Sequence, residues 1–237
     1  MKTPDVLANL LTRTGPILLD FDGPVCSVFA GYPAPTVACE LRQEVTSAGI
    51  ELPPSITGES DPLEVLRWAG SLGRTDIVNA VEEALCGAEL RAVRSAVPTP
   101  YGREVIVAAR QAGRPVAVVS NNSAPAVAAY LAAHRLDQHI CAIIGRTYGD
   151  PGQMKPNAAP ILRAVTEVGA TPDACLMVGD SLTDIIGAKA AGVAVVAYAN
   201  KPAKLTRFTD AAPDAVIAGM DELAAALLAS TTSVSTG

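Results

Sequence analysis

Between residues 101 and 229 the chain repeats one pattern: a short unbroken apolar run, a polar turn, then helical periodicity closed by a small residue. Residues 101–112 read as a helix stopped at Gly113, 115–119 as a strand, 126–134 as a helix and 141–144 as a strand. Asn157 is placed to cap a helix that runs to about Val168 and ends at Gly169. A strand at 175–178, a helix at 182–191 closed by Gly192, a strand at 193–198, a short strand at 215–217 and a helix at 221–229 complete the series. The earlier run 16–21 reads as one more buried strand. Strands that are apolar along their whole length and alternate with helices are buried on both faces. The expected fold class is therefore α/β, a doubly wound, Rossmann-like parallel sheet. Ligands of such sheets bind beyond the carboxyl ends of the strands.

Residues 27–97 carry no clear strand pattern. A helix is expected over 37–48, ending at Gly49. A second is opened by Asp61-Pro62-Leu63-Glu64 in capping-box order and runs to about Ser71. A third covers 75–96, with Gly87 as a possible break, and Pro98 and Pro100 make a hinge back to the sheet. The expected organisation is an α/β core from 1–26 and 98–229, an inserted all-helical cap at 27–97, and a flexible polar tail at 230–237.

Composition narrows the function. Hydrophobic residues make up 49% of the 237 and charged residues 18%, which excludes a disordered chain. Eighteen Lys+Arg against 24 Asp+Glu give a net charge of −6, which argues against a nucleic-acid partner held by a basic surface. No apolar run is long enough to span a membrane. The stretch 5–11 is too short and too acidic for a signal peptide. Cys26, Cys39, Cys86, Cys141 and Cys175 are scattered and odd in number, so a disulfide framework or zinc site is not expected, and the compartment read from them is the cytoplasm.

The strand ends hold the chemistry. The first strand closes on Asp20-Phe21-Asp22-Gly23, the second on Ser120-Asn121-Asn122, and the strand at 175–178 on Gly179-Asp180-Ser181-Leu182-Thr183-Asp184; Lys155-Pro156 follows the strand at 141–144. Each alone reads as a turn, a cap or a solvated lysine. Together they bring carboxylates, a hydroxyl and an ammonium to one edge of one sheet.

These four segments resemble the motifs of the haloacid dehalogenase superfamily, specifically its phosphatase-like members with a helical cap inserted after the first motif. The resemblance implies Asp20 as a nucleophile forming an aspartyl-phosphate. It implies Asp22 as the acid that protonates the leaving oxygen and then the base that activates water. Mg²⁺ would be held by Asp20, the Asp22 carbonyl and Asp180, with Asp184 binding a metal-bound water or orienting Lys155. Lys155, Ser120 and backbone N–H groups near Gly23 and Asn121 would hold the phosphoryl oxygens. Carbon-attacking dehalogenases in the superfamily lack the second Asp, and phosphonate-cleaving members carry a cap lysine. Asp22 is present and residues 27–97 contain no lysine.

The function implied is hydrolysis of a small phosphorylated metabolite, without nucleic-acid or membrane partners. The alternatives are a phosphomutase acting on a sugar phosphate, like β-phosphoglucomutase, and a non-catalytic regulatory or partner-binding protein. Tyr32 or Phe29 could face the leaving group. Trp68 reads as cap core; the cap arginines, Arg67 among them, and the stretch 201–207 read as solvated charge.

Overall fold

The computed structural model describes residues 3–232, and the side chains of 3–230. Eleven helices and eight strands alternate through this range. The chain opens with α1 (Thr3–Arg13), β1 (Ile17–Leu19) and the two-residue β2 (Cys26–Ser27). A helical segment follows: α2 (Ala34–Ser47), α3 (Pro54–Thr57), α4 (Pro62–Ser71) and α5 (Thr75–Ala92). The chain returns through β3 (Val97–Pro98) to α6 (Gly102–Gln111), β4 (Val116–Val119), α7 (Ala124–Ala133), β5 (Ala142–Ile144) and α8 (Ala159–Glu167). It ends with β6 (Leu176–Gly179), α9 (Leu182–Ala190), β7 (Ala194–Tyr198), α10 (Pro202–Ala211), β8 (Ala215–Ile217) and α11 (Met220–Thr232).

Six strands form one parallel sheet in the order β5-β4-β1-β6-β7-β8. Side chains alternate between its two faces, as the two-residue period of a strand requires. Ile17 and Leu19 enter one apolar cluster with Val116, Val118 and Val178; Leu18 enters the other with Ala117, Val119 and Met177. The sheet is the doubly wound α/β fold expected from the apolar runs. Its order reverses between β1 and β6, and ligands of such sheets bind at that switch point.

The inserted helices build their own core from Val37, Leu41, Val45, Leu66, Val81 and Leu85, with Trp68 packed against it. Asp61 caps α4 by accepting from Leu63 N at 2.8 Å. The break expected at Gly87 does not occur: α5 is continuous to Ala92, and only 93–95 tightens into a 3₁₀ turn. Ser27 and Val97 correct the reading of 27–97 as strand-free. With Cys26 and Pro98 they form a two-stranded antiparallel ladder at the neck of the insertion.

Three further differences appear at surface helices. Helix α1 had no counterpart in the sequence reading; Leu7, Leu10 and Leu11, spaced by helical turns, bury it against α11. The stretch 201–207 is exposed except at Lys204, in keeping with solvated basic charge, but it forms the N-cap and first turns of α10, an element absent from the expected series. Helix α11 continues to Thr232, past residue 230 where the flexible tail is expected to start; residues 233–237 of that expected tail lie outside the described range. No helix among the described residues is long and apolar enough to cross a membrane.

Candidate active site

Asp20 is the first residue past β1. Its N–H still bonds Val178 O at 2.9 Å, so the adjoining ladder fixes its backbone while its side chain leaves the sheet edge. Its Oδ1 accepts from Phe21 N and from Lys155 Nζ, each at 2.8 Å. Lys155 enters from the loop after β5 and is 1% exposed. Its ammonium also donates to Val119 O at 2.7 Å and lies 2.6 Å from Asp184 Oδ1. Burial alone would lower the Lys155 value, but Asp184 and Asp20 beside it hold it above the ordinary lysine range. Lys155 is thus a locked cation with an acceptor in each direction.

Asp184 owes its place to a capping box. Ser181 precedes α9, its hydroxyl accepts from Asp184 N, and the Asp184 carboxylate accepts from Ser181 N at 3.1 Å. Asp184 lies inside the helix and Asp180 precedes it, so the two do not share a helix face; they converge because the chain turns at Ser181. Oxygens of Asp20, Asp180 and Asp184 lie within 4.8 Å of one another. Burial, and then the charge of Asp184, push the Asp20 carboxyl well above its usual value, against the pull of Lys155.

Asp22 stands beside this cluster without joining its carboxylates. Val28 N donates to its Oδ1 at 2.9 Å, tying it to the neck of the insertion. Burial raises its pKa to about 6. Gly23 has φ +112°, and a Cβ there would lie 2.2 Å from Asp180 Cγ, so the turn needs glycine both for its backbone and for space.

Ser120 and Asn121 follow β4. The Ser120 hydroxyl accepts from Asn122 N at 3.0 Å and donates to Asn122 Oδ1 at 3.1 Å, which curls the loop on itself. The Asn121 side chain brackets the Lys155 peptide, donating to its carbonyl at 3.1 Å and accepting from its N–H at 2.9 Å. Asp20, Asp22, Ser120, Asn121, Lys155 and Asp180 line one cavity of about 480 Å³. Its opposite wall is the insertion, through Phe29, Asp61, Leu63, Glu64 and Arg67. Tyr32 turns elsewhere, bonding Glu40 and accepting from Arg91 Nη2 at 3.1 Å.

Three charged groups were missed by the sequence reading. Arg67 donates to Lys155 O at 2.7 Å, joining the insertion to the loop of the buried lysine. Lys204, at the start of α10, reaches Asp180 Oδ2 at 2.5 Å, and Asn200 donates to the same oxygen at 3.0 Å. Arg146, after β5, lies fully buried between Glu82 and Glu89 of α5, at 2.7 and 2.9 Å. It also donates to Asn121 O at 2.6 Å, while Glu89 accepts from Asn122 Nδ2 at 3.1 Å and Ser123 N at 2.9 Å. The phosphate-loop candidates are thereby fastened to the insertion. Nothing in an apolar pattern distinguishes these charges from solvated ones.

The donor set fits a hard divalent cation. Three carboxylates converge where a missing Cβ leaves room, and such cations take oxygen ligands.

Comparison with known proteins agrees with the geometry. Residues 17–192 match the family model described as haloacid dehalogenase-like hydrolase. The phosphoglycolate phosphatase of Pectobacterium atrosepticum is 29% identical over 186 residues, 77% of this chain and 79% of that protein. The Escherichia coli K12 phosphoglycolate phosphatase is 36% identical over a shorter match, 39% of this chain and 36% of that one. Among solved structures, a subfamily IA hydrolase of the haloacid dehalogenase superfamily from Geobacter sulfurreducens superposes with TM-score 0.59 at 19% identity, over 89% of this chain and 97% of that one.

Proposed function

Because the chain belongs to the haloacid dehalogenase-like hydrolases and is a phosphoric monoester hydrolase, we propose that it releases phosphate from a small phosphorylated metabolite in two steps through Asp20, with Mg²⁺ at the acidic cluster. The observation that carries this reading is the convergence of Asp20, Asp180 and Asp184 oxygens within 4.8 Å, with the Lys155 ammonium 2.8 Å from Asp20.

Asp20, Asp180 and the Asp22 carbonyl would hold the cation, which would supply charge neutralisation between the phosphate and the attacking carboxylate. Asp20 attacks phosphorus and the ester bond breaks. Asp22, with its pKa near 6, gives its proton to the departing oxygen and takes one from the water that cleaves the aspartyl-phosphate. The Asn121 N–H would hold a phosphoryl oxygen as charge spreads over it, and Ser120 and Lys155 would reach the others by turning a proton away from Asn122 Oδ1 and Asp20; the Gly23 N–H expected to join them is already given to Cys26 O at 2.7 Å. Asp184 keeps Lys155 oriented. Asp61, Leu63, Glu64 and Arg67 form the wall that a leaving group would meet.

The test is Mg²⁺-dependent phosphate release over a panel of metabolite monoesters. Phosphoglycolate goes first, because relatives carry that name. Release without a bisphosphate requirement separates hydrolysis from phosphomutase chemistry. No release from any ester, or undiminished release by Asp20→Asn, overturns the reading.

A further inference from the structure

Two lysines reach the acidic cluster, and their surroundings differ. Lys155 is confined among Val119 O, Asp20 and Asp184, with its side chain 2% exposed. Lys204 touches one carboxylate, Asp180, and its side chain is 24% exposed. A lysine on a flexible four-carbon stem at that exposure can leave its partner for water. Lys155 cannot do so without abandoning three acceptors.

The position of Lys204 is unfavourable unless something compensates it. It lies in the first turn of α10, whose N-cap is Lys201 and which has no acidic residue in that turn. The N-terminal end of a helix repels cations. Asp180 supplies the missing negative charge from the end of β6, and Asn200, just past β7, donates to the same Oδ2. Asp180 Oδ1 accepts no hydrogen bond among the described residues. The carboxylate is therefore half-occupied by an ammonium at the place where the proposed cation would bind.

We propose that Lys204 is an internal counter-cation for Asp180, stabilising the acidic cluster when it holds no metal and competing with the divalent ion for that carboxylate. The inference rests on reading this cluster as a metal centre. A divalent ion approaching Asp180 meets a positive charge that it must displace or tolerate. The affinity of the site is set lower than its carboxylates alone would dictate, and the metal-free site is held together by a charge the protein carries itself.

The experiment compares the wild type with Lys204→Met and Lys204→Arg, all freed of metal. Mg²⁺ is titrated by calorimetry, and thermal unfolding is followed with and without Mg²⁺. Lys204→Met should bind Mg²⁺ roughly tenfold more tightly, from the repulsion of nearby like charges. It should unfold at a lower temperature than the wild type without metal, and gain more from Mg²⁺. Lys204→Arg, which keeps the charge, should stay close to the wild type. Equal or weaker Mg²⁺ binding by Lys204→Met overturns the inference and leaves the metal centre standing. A wild type that binds no Mg²⁺ overturns both. The quarter-exposed position of Lys204 makes misfolding an unexpected outcome, and Lys204→Gln provides a polar second variant with the same expected direction.

Discussion

Gly23 and Asp180 meet through an absent side chain: a Cβ at Gly23 would stand 2.2 Å from Asp180 Cγ and 2.5 Å from its Oδ2. The turn after β1 and the end of β6 share one small volume. Gly23→Ala should therefore displace Asp180 and strain a backbone at φ +112°. The expected stability loss is about 1–3 kcal/mol by denaturant titration. Phosphate release should fall at least about a hundredfold, since a misplaced group of 1 Å can cost that much. A variant with wild-type turnover would show that Asp180 can relax without consequence.

Asp20→Asn removes the attacking carboxylate while leaving an oxygen that can accept from Lys155 and Phe21. The fold should persist by circular dichroism. Turnover should drop by more than about a thousandfold, the scale on which loss of a nucleophile acts.

Asp22→Asn should discriminate among leaving groups. The amide oxygen can still accept from Val28 N, so the neck keeps its hydrogen bond. Loss of the acid should slow alkyl phosphate esters by about 10²–10⁴-fold. An aryl ester such as p-nitrophenyl phosphate, which leaves without a proton, should be slowed far less in its first step. Equal slowing of both esters in single-turnover measurements would remove Asp22 from the acid role.

The same variant has a pH signature. Burial raises the Asp22 carboxyl from 3.8 to about 6, so the folded chain keeps a proton that the unfolded chain releases. Its contribution to stability is greatest below pH 4, falls as pH rises from about 4 to about 6, and is constant above. In metal-free protein at pH 7, Asp22→Asn should be more stable than the wild type by roughly 1–3 kcal/mol. The gap should close as pH is lowered toward 4. Urea midpoints at the two pH values measure it.

Arg146→Met would leave Glu82 and Glu89 buried without their partner. The expected cost is about 3–5 kcal/mol, as for other broken buried ion pairs. Replacing Glu82, Glu89 and Arg146 together by apolar residues should recover only part of that stability, because Asn122 Nδ2 and Ser123 N then lose their buried acceptor. It should not recover phosphate affinity, because Glu89 also holds Asn122 and Ser123. Inhibition by inorganic phosphate separates the two effects.

The sheet and the cluster were legible for one reason: apolar runs end abruptly in Asp20, Ser120 and Asp180, and a buried parallel strand has to stop where its polar groups emerge. The gathering of Lys155 with Asp20 followed from that placement, whereas the contact of Lys155 with Asp184 was one of two roles for Asp184 that only the family resemblance implied. Lys204 was not legible, because a lysine in a polar stretch looks the same whether it faces water or a carboxylate across the sheet edge. Arg146 was hidden similarly: its partners are 57 and 64 residues away, beyond any local period. Helix α1 escaped although Leu7, Leu10 and Leu11 carry helical spacing, because the sequence reading sets that stretch only against a signal peptide and the element that buries it, α11, lies far away in the sequence. Ser27 and Val97 pair over only two residues, too short a run for alternation to register.

The rivet formed by Arg146 has a consequence for engineering. Its counter-ions belong to α5, one of its acceptors is the Asn121 carbonyl, and the guanidinium itself stands on the sheet side. The inserted helices are therefore no detachable module. A chimera that grafts a relative's helices onto this sheet would inherit an orphaned guanidinium beside the phosphate loop, and would need Glu82 and Glu89 transplanted with it to fold at all well.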